Sequence, residues 1–292
     1  MTGNSANRRI GIIGTGRVAQ ALALGLGANT LSPPLIWGRT ATGREEAVSR
    51  IGRQAHASDT MADLVEASDI IAIAVSDDAV ASVIEKMATL IPAGHMPFVF
   101  HVSGRSGAAV LDPLREKCAL TAAIHPAMTF TGNPQEEVTR MTGAYFAITG
   151  SSDRAWDMAR QIVAELGGVA AEVTEDRRAL YHAGLCHAAN HLVTLLAGSS
   201  HILSAAGVEE PYAMLTPLVR AALENSLARG FDALSGPVLR GDRETIGRHI
   251  AALVEHCPQV LPAYRAMALA TVDELETEGA PLPLGGVRSE LY

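Results

Sequence analysis

A glycine-spaced loop close to the start of the chain has the pattern of a phosphate-binding turn. The segment GTGRVA (residues 14–19) follows a short apolar run and opens an apolar helical pattern. The first glycine would allow a tight turn, the second would let the backbone approach a pyrophosphate, and the alanine would let helix and strand pack closely. An ordinary glycine turn is the alternative, but this context favours a dinucleotide site, with the helix N-terminus attracting phosphate. The residues predicted to form it are Gly14, Thr15, Gly16, Arg17 and Val18.

The end of the second apolar run indicates which dinucleotide the loop would hold. A site for NAD usually places Asp or Glu about twenty residues after the glycines, where the carboxylate binds the ribose 2′-hydroxyl. Here Arg39 and Thr40 stand at that place with no adjacent acid. Arginine can pair with a 2′-phosphate, and threonine can add a hydroxyl donor. The sequence therefore predicts NADP(H), the alternative being that Arg39 is a solvated charge after a strand.

Polar residues follow three later apolar runs. Val75 and Ser76 end the first, His101 and Ser103 the second, and His125 the third. Because the carboxyl ends of parallel strands meet at one edge of a sheet, we expect these residues near the cofactor. Val75, Ser76 and His101 are predicted to contact the cofactor, and Ser103 and His125 to face the substrate. Either histidine could instead bond only a backbone carbonyl.

The glycine-rich segment 103–107 offers a second candidate anion site. Its sequence, SGRSG, comes directly before a helical pattern. The amides of Gly104 to Gly107 and the N-terminus of that helix could hold a substrate carboxylate.

Residues 179–208 contain no Asp, Glu, Lys or Arg, yet they include several histidines. At 100° per residue, His187 and Asn190 share one narrow polar stripe of a helix, and His182 lies on a neighbouring face. These three residues are candidates for lining a substrate cleft. Polar packing at a dimer interface is the alternative.

The pattern of apolar runs predicts the elements that must position these residues. Up to residue 175, short runs alternate with helical patterns, which is typical of parallel β–α units. After it, helical patterns continue alone. The sequence therefore predicts an α/β fold, in which a doubly wound, Rossmann-type, mostly parallel sheet (residues 1–175, binding NADP) precedes an all-helical domain (residues 176–292, for substrate and dimerisation). The predicted strands are 9–14, 34–39, 69–75, 97–102, 120–125, 144–150 and 169–174, and the predicted helices of this half are 17–26, 43–51, 78–90, 108–117 and 153–166.

Composition limits the partners and the compartment. The 292 residues are 48% hydrophobic, enough for a sizeable core, and the net charge of −8 argues against nucleic-acid or membrane partners. Cys118, Cys186 and Cys257 are odd in number and widely spaced, as expected of buried thiols in a reducing compartment. No signal peptide is visible, so we expect a cytoplasmic protein; no metal site is predicted.

Six segments in this order make the chain resemble a known family: GIIGTGRVA, WGRT, HVSGRSG, AIHPAMTF, YHAGLCHAANHL and LSGPVLRGD. That family of Rossmann-like oxidoreductases pairs an N-terminal NADP domain with a C-terminal helical domain of formerly unknown function. The likeness covers about residues 8–275. The family is similar to β-hydroxyacid dehydrogenases, pyrroline-5-carboxylate reductases and ketopantoate reductases. The resemblance implies NADP(H), a homodimer through the helical domain and, as the most concrete substrate, ketopantoate.

The resemblance also shows one departure. Hydroxyacid dehydrogenases typically carry a G-x-x-K-x-x-N helix whose lysine protonates the new alkoxide. The matching segment GLCHAAN has His187 in the lysine position, and no lysine follows Lys117. Histidine can donate a proton near neutrality, so His187 is the first candidate acid, with His125 second and His182 third. A protonated iminium needs no strong acid, which leaves imine reduction open.

Together these features predict an NADPH-dependent reductase of a small 2-oxo acid, best matched by conversion of ketopantoate to pantoate. In this hypothesis Ser103 and Asn190 orient the carboxylate and the carbonyl of the substrate. A cyclic-imine or pyrroline-carboxylate reductase, or a β-hydroxyacid dehydrogenase, is the alternative on the same frame. The alternative of another class is a non-catalytic NADP(H)-binding sensor.

Overall fold

The computed structural model describes residues 8–117, 120–279 and 284–292. The chain forms two compact units, one extending to Leu185 and the other from Cys186 onward. The division falls inside one long helix, Arg178–Ala205. Its first turns belong to the first unit because the Arg178 side chain donates hydrogen bonds to carbonyl groups of two strands there.

The first unit contains a single eight-stranded sheet. The strand order is β3-β2-β1-β4-β5-β6-β7-β8. Strands β1 to β6 run parallel, β7 is antiparallel to β6, and β8 is parallel to β7. This confirms the predicted doubly wound, mostly parallel sheet. The strands are β1 (Ile10–Ile13), β2 (Leu35–Trp37), β3 (His56–Ala57), β4 (Ile70–Ile73), β5 (Phe98–His101), β6 (Leu120–Pro126), β7 (Tyr145–Gly150) and β8 (Val169–Glu172).

Helices cover both faces of this sheet. The predicted helix 108–117 is instead a 3₁₀ turn, Ala108–Leu111, followed by one short helix. Pro113 explains the break, because proline disfavours helical geometry in the residue before it and lacks an N–H donor. The helices of this unit are α1 (Arg17–Gly27), α2 (Ala41–Arg50), α3 (Met61–Ala67), α4 (Asp77–Ala88), α5 (Asp112–Arg115), α6 (Pro134–Met141) and α7 (Asp153–Glu165).

The core of the first unit lies in two layers, one on each face of the sheet. In β1, Ile12 packs in the layer with α1, α2 and α7, whereas Ile13 packs in the layer with α3, α4 and α5. In β5, Phe100 and Val99 alternate in the same way. Strands buried on both faces explain why the sequence shows continuous apolar runs here.

The second unit consists of helices, as predicted. Its core joins α10, α11 and α12 through Ile246, Val272 and Val287. None of the helices within the described ranges is long and apolar enough to cross a membrane. Cys257 is buried, Cys186 is half-buried, and Cys118 lies outside the described residues. The helices are the remainder of α8 (Arg178–Ala205), α9 (Pro211–Arg229), α10 (Arg243–His256), α11 (Leu261–Thr277) and α12 (Gly285–Leu291).

Candidate active site

The glycine loop sits where the strand order reverses, between β1 and β4. Gly14 has φ of +135° and its N–H donates to the Trp37 carbonyl at 2.8 Å. A Cβ at this position would lie 2.1 Å from the Ala74 carbonyl oxygen, so only glycine fits. In open α/β sheets the crevice at such a reversal point is where ligands bind.

Two helices begin at this crevice without a side-chain cap. Beside Gly16 there is open space, with no atom within 4 Å of a Cβ built there. Helices α1 and α4 start at this point, and neither Gly16 nor Ser76 caps its helix through a side chain. The neighbouring helix α2 is capped by Thr40, whose hydroxyl accepts from Gly43 N–H. The first N–H groups of an uncapped helix favour an anion.

A cavity of about 450 Å³ extends from the glycine loop along the end of β2. It is lined by six of the residues predicted to bind the cofactor, and by no Asp or Glu among the residues described. The structure therefore brings these six together around one space. They are Gly14, Thr15, Gly16, Arg39, Val75 and Ser76.

Three other predicted cofactor residues have different contacts. The Arg17 guanidinium donates to the Phe130 carbonyl at 3.0 Å, so it fixes a neighbouring loop. Val18 packs against the core, because it lies on the inner side of α1. Thr40 is the cap of α2 and holds Gly43. All three residues thus have contacts within the chain, and their predicted contacts with the cofactor stay predictions.

His101 is buried beneath the loop that follows β5. Its Nδ1 accepts from Ser103 N–H at 3.1 Å, so its Nε2 carries the hydrogen and donates to the Gly107 carbonyl at 2.8 Å. Burial is the main cause that lowers the pKa of His101 to about 4. Both ring nitrogens have partners within the chain, so a cofactor contact of His101 would not use them and stays a prediction. His101 positions the loop 103–107.

The Glu175 carboxylate lies against the end of this loop and the start of the turn that follows it. The Glu175 carboxylate accepts from Ala109 N–H at 3.2 Å, and a Cβ on Gly107 would lie 2.2 Å from it. An internal carboxylate therefore occupies one N–H at the start of the following helical turn, and the role predicted for the amides of residues 104–107 stays a prediction.

A cluster of aromatic and imidazole rings lies at the carboxyl end of β6. His125 Nδ1 is 2.8 Å from the Tyr181 hydroxyl, and the ring of His182 meets that of His125 edge-on at 6.0 Å between centroids. Gly104 lets the rings approach, since a Cβ there would lie 2.8 Å from His125 Nε2 and 2.6 Å from His182 Cδ2. Next to it, the buried Ser103 hydroxyl has no partner among the described residues.

Arg178 lies behind this cluster and is only 1% exposed. Its Nε donates to the Thr149 hydroxyl at 2.6 Å, and its guanidinium carbon is 5.9 Å from the centre of the Tyr181 ring. Among the residues described, no carboxylate forms an ion pair with it. Burial lowers the pKa of Arg178 to about 10, so the side chain is still a cation at neutral pH. The Glu175 charge acts on Arg178 and raises its pKa without forming an ion pair with it, and a buried charge so weakly compensated acts strongly on its neighbours.

The Arg178 charge and burial together determine the protonation of His125 and Tyr181. The pKa of His125 is lowered to about 4, mainly by burial and secondly by the Arg178 charge. This histidine is therefore neutral at pH 7. Burial raises the pKa of Tyr181, and Arg178 opposes that rise. The arrangement can therefore keep a neutral phenol in hydrogen-bond contact with a neutral imidazole.

The remaining predicted catalytic residues belong to the second unit. His187 is exposed, and its Nδ1 lies 3.1 Å from Nδ1 of His191. Asn190 is exposed as well. Their roles stay predictions.

Four side chains around these sites were not predicted from the sequence. Tyr181 stands directly before the predicted His182, and Arg178 is the last charge before the uncharged stretch. Trp37 and Lys86 line the cavity beside Arg39.

We expect the buried histidines to make the protein less stable in acid. Between pH 6.5 and about 4, the unfolded chain binds a proton at His101 that the native state does not bind. The free energy of unfolding should fall by about 1.4 kcal/mol per pH unit for this histidine across that window. His125 should add a similar slope over the same range.

Thermal unfolding between pH 7 and 4 measures this effect. His101→Asn keeps an acceptor for Ser103 N–H but removes the titrating ring, so its melting temperature should fall less steeply with acid. His56→Asn, at an exposed strand position, is the control. Equal slopes in all three proteins would contradict the assignment.

The sheet, its reversal point and its glycine loop define a Rossmann-like protein, and comparison with known families agrees. Residues 3–126 match the Rossmann-like domain, and residues 144–271 match DUF2520, a domain of unknown function. The chain is thus a Rossmann-like domain joined to a DUF2520 domain, which confirms the resemblance drawn from the sequence. No curated protein matches the sequence.

Several solved structures share this fold. A Bacteroides fragilis protein described as an NADP oxidoreductase is 18% identical, with a TM-score of 0.76 over 92% of this chain and 99% of that chain. A reductive aminase of Aspergillus terreus, in complex with NADPH and ethyl-5-oxohexanoate, is 18% identical, with a TM-score of 0.66 over 94% and 95%. A pyrroline carboxylate reductase of Plasmodium falciparum with NADP bound is 13% identical, with a TM-score of 0.58 over 98% and 99%. At these identities the likeness establishes the fold.

Proposed function

We propose that the protein is an NADPH-dependent reductase of a small compound containing a C=O or C=N bond. The observation that carries the proposal is the position of two features on one edge of the sheet. The glycine loop follows β1, and the His125–Tyr181 pair lies at the end of β6, three strands away, or about 14 Å. The neighbours with NADPH or NADP bound support the same cofactor.

The residues around the cavity fit this cofactor. The open space at Gly16 would admit the pyrophosphate, and the uncapped amides of α1 and α4 would bind it. Arg39 would pair with the 2′-phosphate, and no carboxylate in the described lining would repel it. When bound, NADPH supplies the hydride.

Tyr181 is then the group that donates the proton. His125 is neutral at pH 7, so it holds no imidazolium proton to give. In the tautomer with hydrogen on Nδ1, His125 donates to the Tyr181 oxygen, which frees the Tyr181 O–H for the substrate. Transfer of that proton to a reduced carbonyl oxygen leaves a tyrosinate, which regains a proton from water.

Arg178 stabilises the charge that appears on Tyr181. Its guanidinium is 5.9 Å from the ring and buried, so the attraction to tyrosinate is weakly screened. His125 adds a hydrogen bond to the anionic oxygen, of the stronger, charge-assisted kind. Both effects favour the transition state over the resting phenol.

The charges beside the pair bear on the type of substrate. Arg178 is buried, and the Arg105 guanidinium is 3.5 Å from Asp77 and 3.6 Å from Asp78. Neither is a free cation for a substrate carboxylate. This favours an imine without a carboxylate as the second candidate substrate class, as does a neighbour named as an imine reductase. Ketopantoate remains the first carbonyl compound to test, because the resemblance to the oxidoreductase family implies it as the substrate.

Oxidation of NADPH by the purified protein tests the proposal. Ketopantoate, other 2-oxo acids and cyclic imines form the panel, with NADH as the comparison cofactor. We expect turnover with NADPH on at least one class. Tight NADPH binding without turnover on any of them would contradict the proposal and favour the sensor.

We further propose that the protein is a homodimer joined through the helical domain. Helix α9 buries Leu215 but leaves Tyr212 59%, Leu218 65%, Leu223 50% and Leu227 80% exposed. At 100° per residue, Leu218 projects on a different side of the helix from the other exposed three. A helix that is apolar on several sides needs cover, and soluble monomers rarely leave such a surface open. A second copy of the chain would supply it.

Replacing two of these leucines should separate the subunits. We expect the wild type to have a mass near twice 30.6 kDa by light scattering after size exclusion, and Leu223→Glu/Leu227→Glu to have the mass of one chain. Two charges in an apolar interface cost several kcal/mol of association free energy. Leu31→Glu, at a leucine 76% exposed in the first unit, is the control. A monomeric wild type, or a double variant that stays dimeric, would exclude this interface.

A further inference from the structure

Helix α4 presents a lysine to the cavity that begins at the glycine loop. Ala79, Ser82, Val83 and Lys86 line this cavity and recur at helical spacing, so they form one side of the helix. Lys86 is exposed, and its Nζ lies 5.3 Å from the centre of the Trp37 ring. Within the described chain, no ion pair involves Lys86.

The facing wall brings a second cation to the same end. Trp37 packs with the layer of α3 and α4, and Arg39 follows two residues later. Arg39 lies in the bend that follows β2, and both Trp37 and Arg39 line the cavity. Arg39 is exposed, and no described residue forms an ion pair with it.

The charge of this end of the cavity is therefore positive. Its described lining contains Arg39 and Lys86 but no carboxylate. The acids at the start of α4, Asp77 and Asp78, lie near Arg105 and do not line the cavity. Two uncompensated cations beside an aromatic face suit a phosphorylated nucleoside, with the ring against the base and the charges on the phosphate.

We propose that Lys86 is a second ligand of the 2′-phosphate, acting with Arg39, and that it determines the preference for NADP(H) over NAD(H). This rests on the proposed cofactor. The Trp37 ring attracts the Lys86 ammonium, whose Nζ lies 5.3 Å from the ring centre, and so keeps it at the wall of the cavity. The competing explanation is structural, because a cation in the last turn of a helix and over an indole ring is stabilising in itself.

Two nucleotides that differ only in one phosphate separate these explanations. Calorimetric titration of the full-length protein with 2′,5′-ADP and with 5′-AMP gives a ratio of dissociation constants for each variant. We expect the wild type to prefer 2′,5′-ADP, and Lys86→Met to weaken 2′,5′-ADP about tenfold while leaving 5′-AMP unchanged. Methionine keeps an unbranched stem on Trp37. Lys117→Met removes the other lysine of the chain, which lies outside this cavity, and is the matched control.

Each result has one meaning. An unchanged ratio in Lys86→Met, or equal weakening of both nucleotides, overturns the role of Lys86 and leaves the proposed cofactor intact if the wild type prefers 2′,5′-ADP. A wild type that binds both nucleotides equally, or neither, overturns the NADP(H) assignment and this inference together. Arg39→Met, measured in parallel, should also reduce the preference for 2′,5′-ADP over 5′-AMP.

Discussion

Tyr181→Phe should lower kcat for reduction of a carbonyl substrate by about 10²- to 10⁴-fold, the usual contribution of a positioned general acid. The substitution removes the hydroxyl that lies 2.8 Å from His125 Nδ1 and keeps the ring that packs beside Arg178. The phosphate loop is untouched, so the dissociation constant for NADPH should stay within about twofold. Steady-state kinetics and calorimetry on the same preparation measure both quantities.

The same variant should distinguish the two substrate classes. A carbonyl must gain a proton as the hydride arrives, whereas a preformed iminium already carries one. Tyr181→Phe should therefore retain most of its activity on a cyclic iminium at a pH where that substrate is protonated. Equal loss on both classes would mean that Tyr181 shapes the site and does not donate the proton. Undiminished carbonyl reduction would exclude it as the acid.

His187→Ala is the informative comparison, because sequence alignment with the lysine of related enzymes makes His187 the first candidate acid. If Tyr181 is the donor, His187→Ala should change kcat by less than tenfold, well below the range for loss of a general acid. If kcat collapsed in His187→Ala and stayed normal in Tyr181→Phe, His187 would be the general acid and Tyr181 would not.

The fold was predictable because its signals are local. Strands such as β4 and β5 are buried along their whole length and so read as continuous apolar runs. The strand β3 has two residues, both exposed, and leaves no such run. Helix α6 is largely polar and begins with a proline, so its pattern resembles a loop. These two elements form through packing in the folded chain, and the local sequence pattern does not predict them.

The candidate site was predictable where its residues are neighbours in sequence. The glycine loop is one contiguous segment, and Arg39 follows a strand at a known spacing. The Tyr181–His125 contact joins residues 56 positions apart, and no local period encodes such a pair. His101 shows the limit of a local signal, since a histidine at a strand end has the same sequence context whether it faces a ligand or holds a loop. The Gly107 carbonyl, six positions on, decides between them.

The second large effect concerns the glycine loop, where two glycines should fail for different reasons. Gly14→Ala should destabilise the protein itself. Its φ of +135° costs an alanine about 1–2 kcal/mol. Its Cβ would lie 2.1 Å from the Ala74 carbonyl oxygen, which forces the backbone of β1 and β4 apart at a cost of about 1–3 kcal/mol. The melting temperature should fall by roughly 5–15 °C.

Gly16→Ala should leave the fold almost unchanged and weaken the cofactor instead. Gly16 has φ of −73° and ψ of −177°, which alanine adopts without strain, and its Cβ would enter open space. A poorer helix cap costs at most about 1 kcal/mol. That open space is where the pyrophosphate is proposed to lie, so the methyl group should break one or two charge-assisted hydrogen bonds. NADPH should then bind about 100-fold more weakly.

The pair of variants separates folding from binding at one loop. Melting temperature without ligand ranks Gly14→Ala far below Gly16→Ala, whereas the NADPH dissociation constant of the well-folded Gly16→Ala isolates the phosphate contact. If Gly16→Ala binds NADPH like the wild type, the pyrophosphate does not lie on this loop, and the cofactor site must be sought elsewhere. If Gly14→Ala melts like the wild type, the turn relaxes freely, and the close approach of Gly14 to Ala74 is not what fixes the ends of β1 and β4.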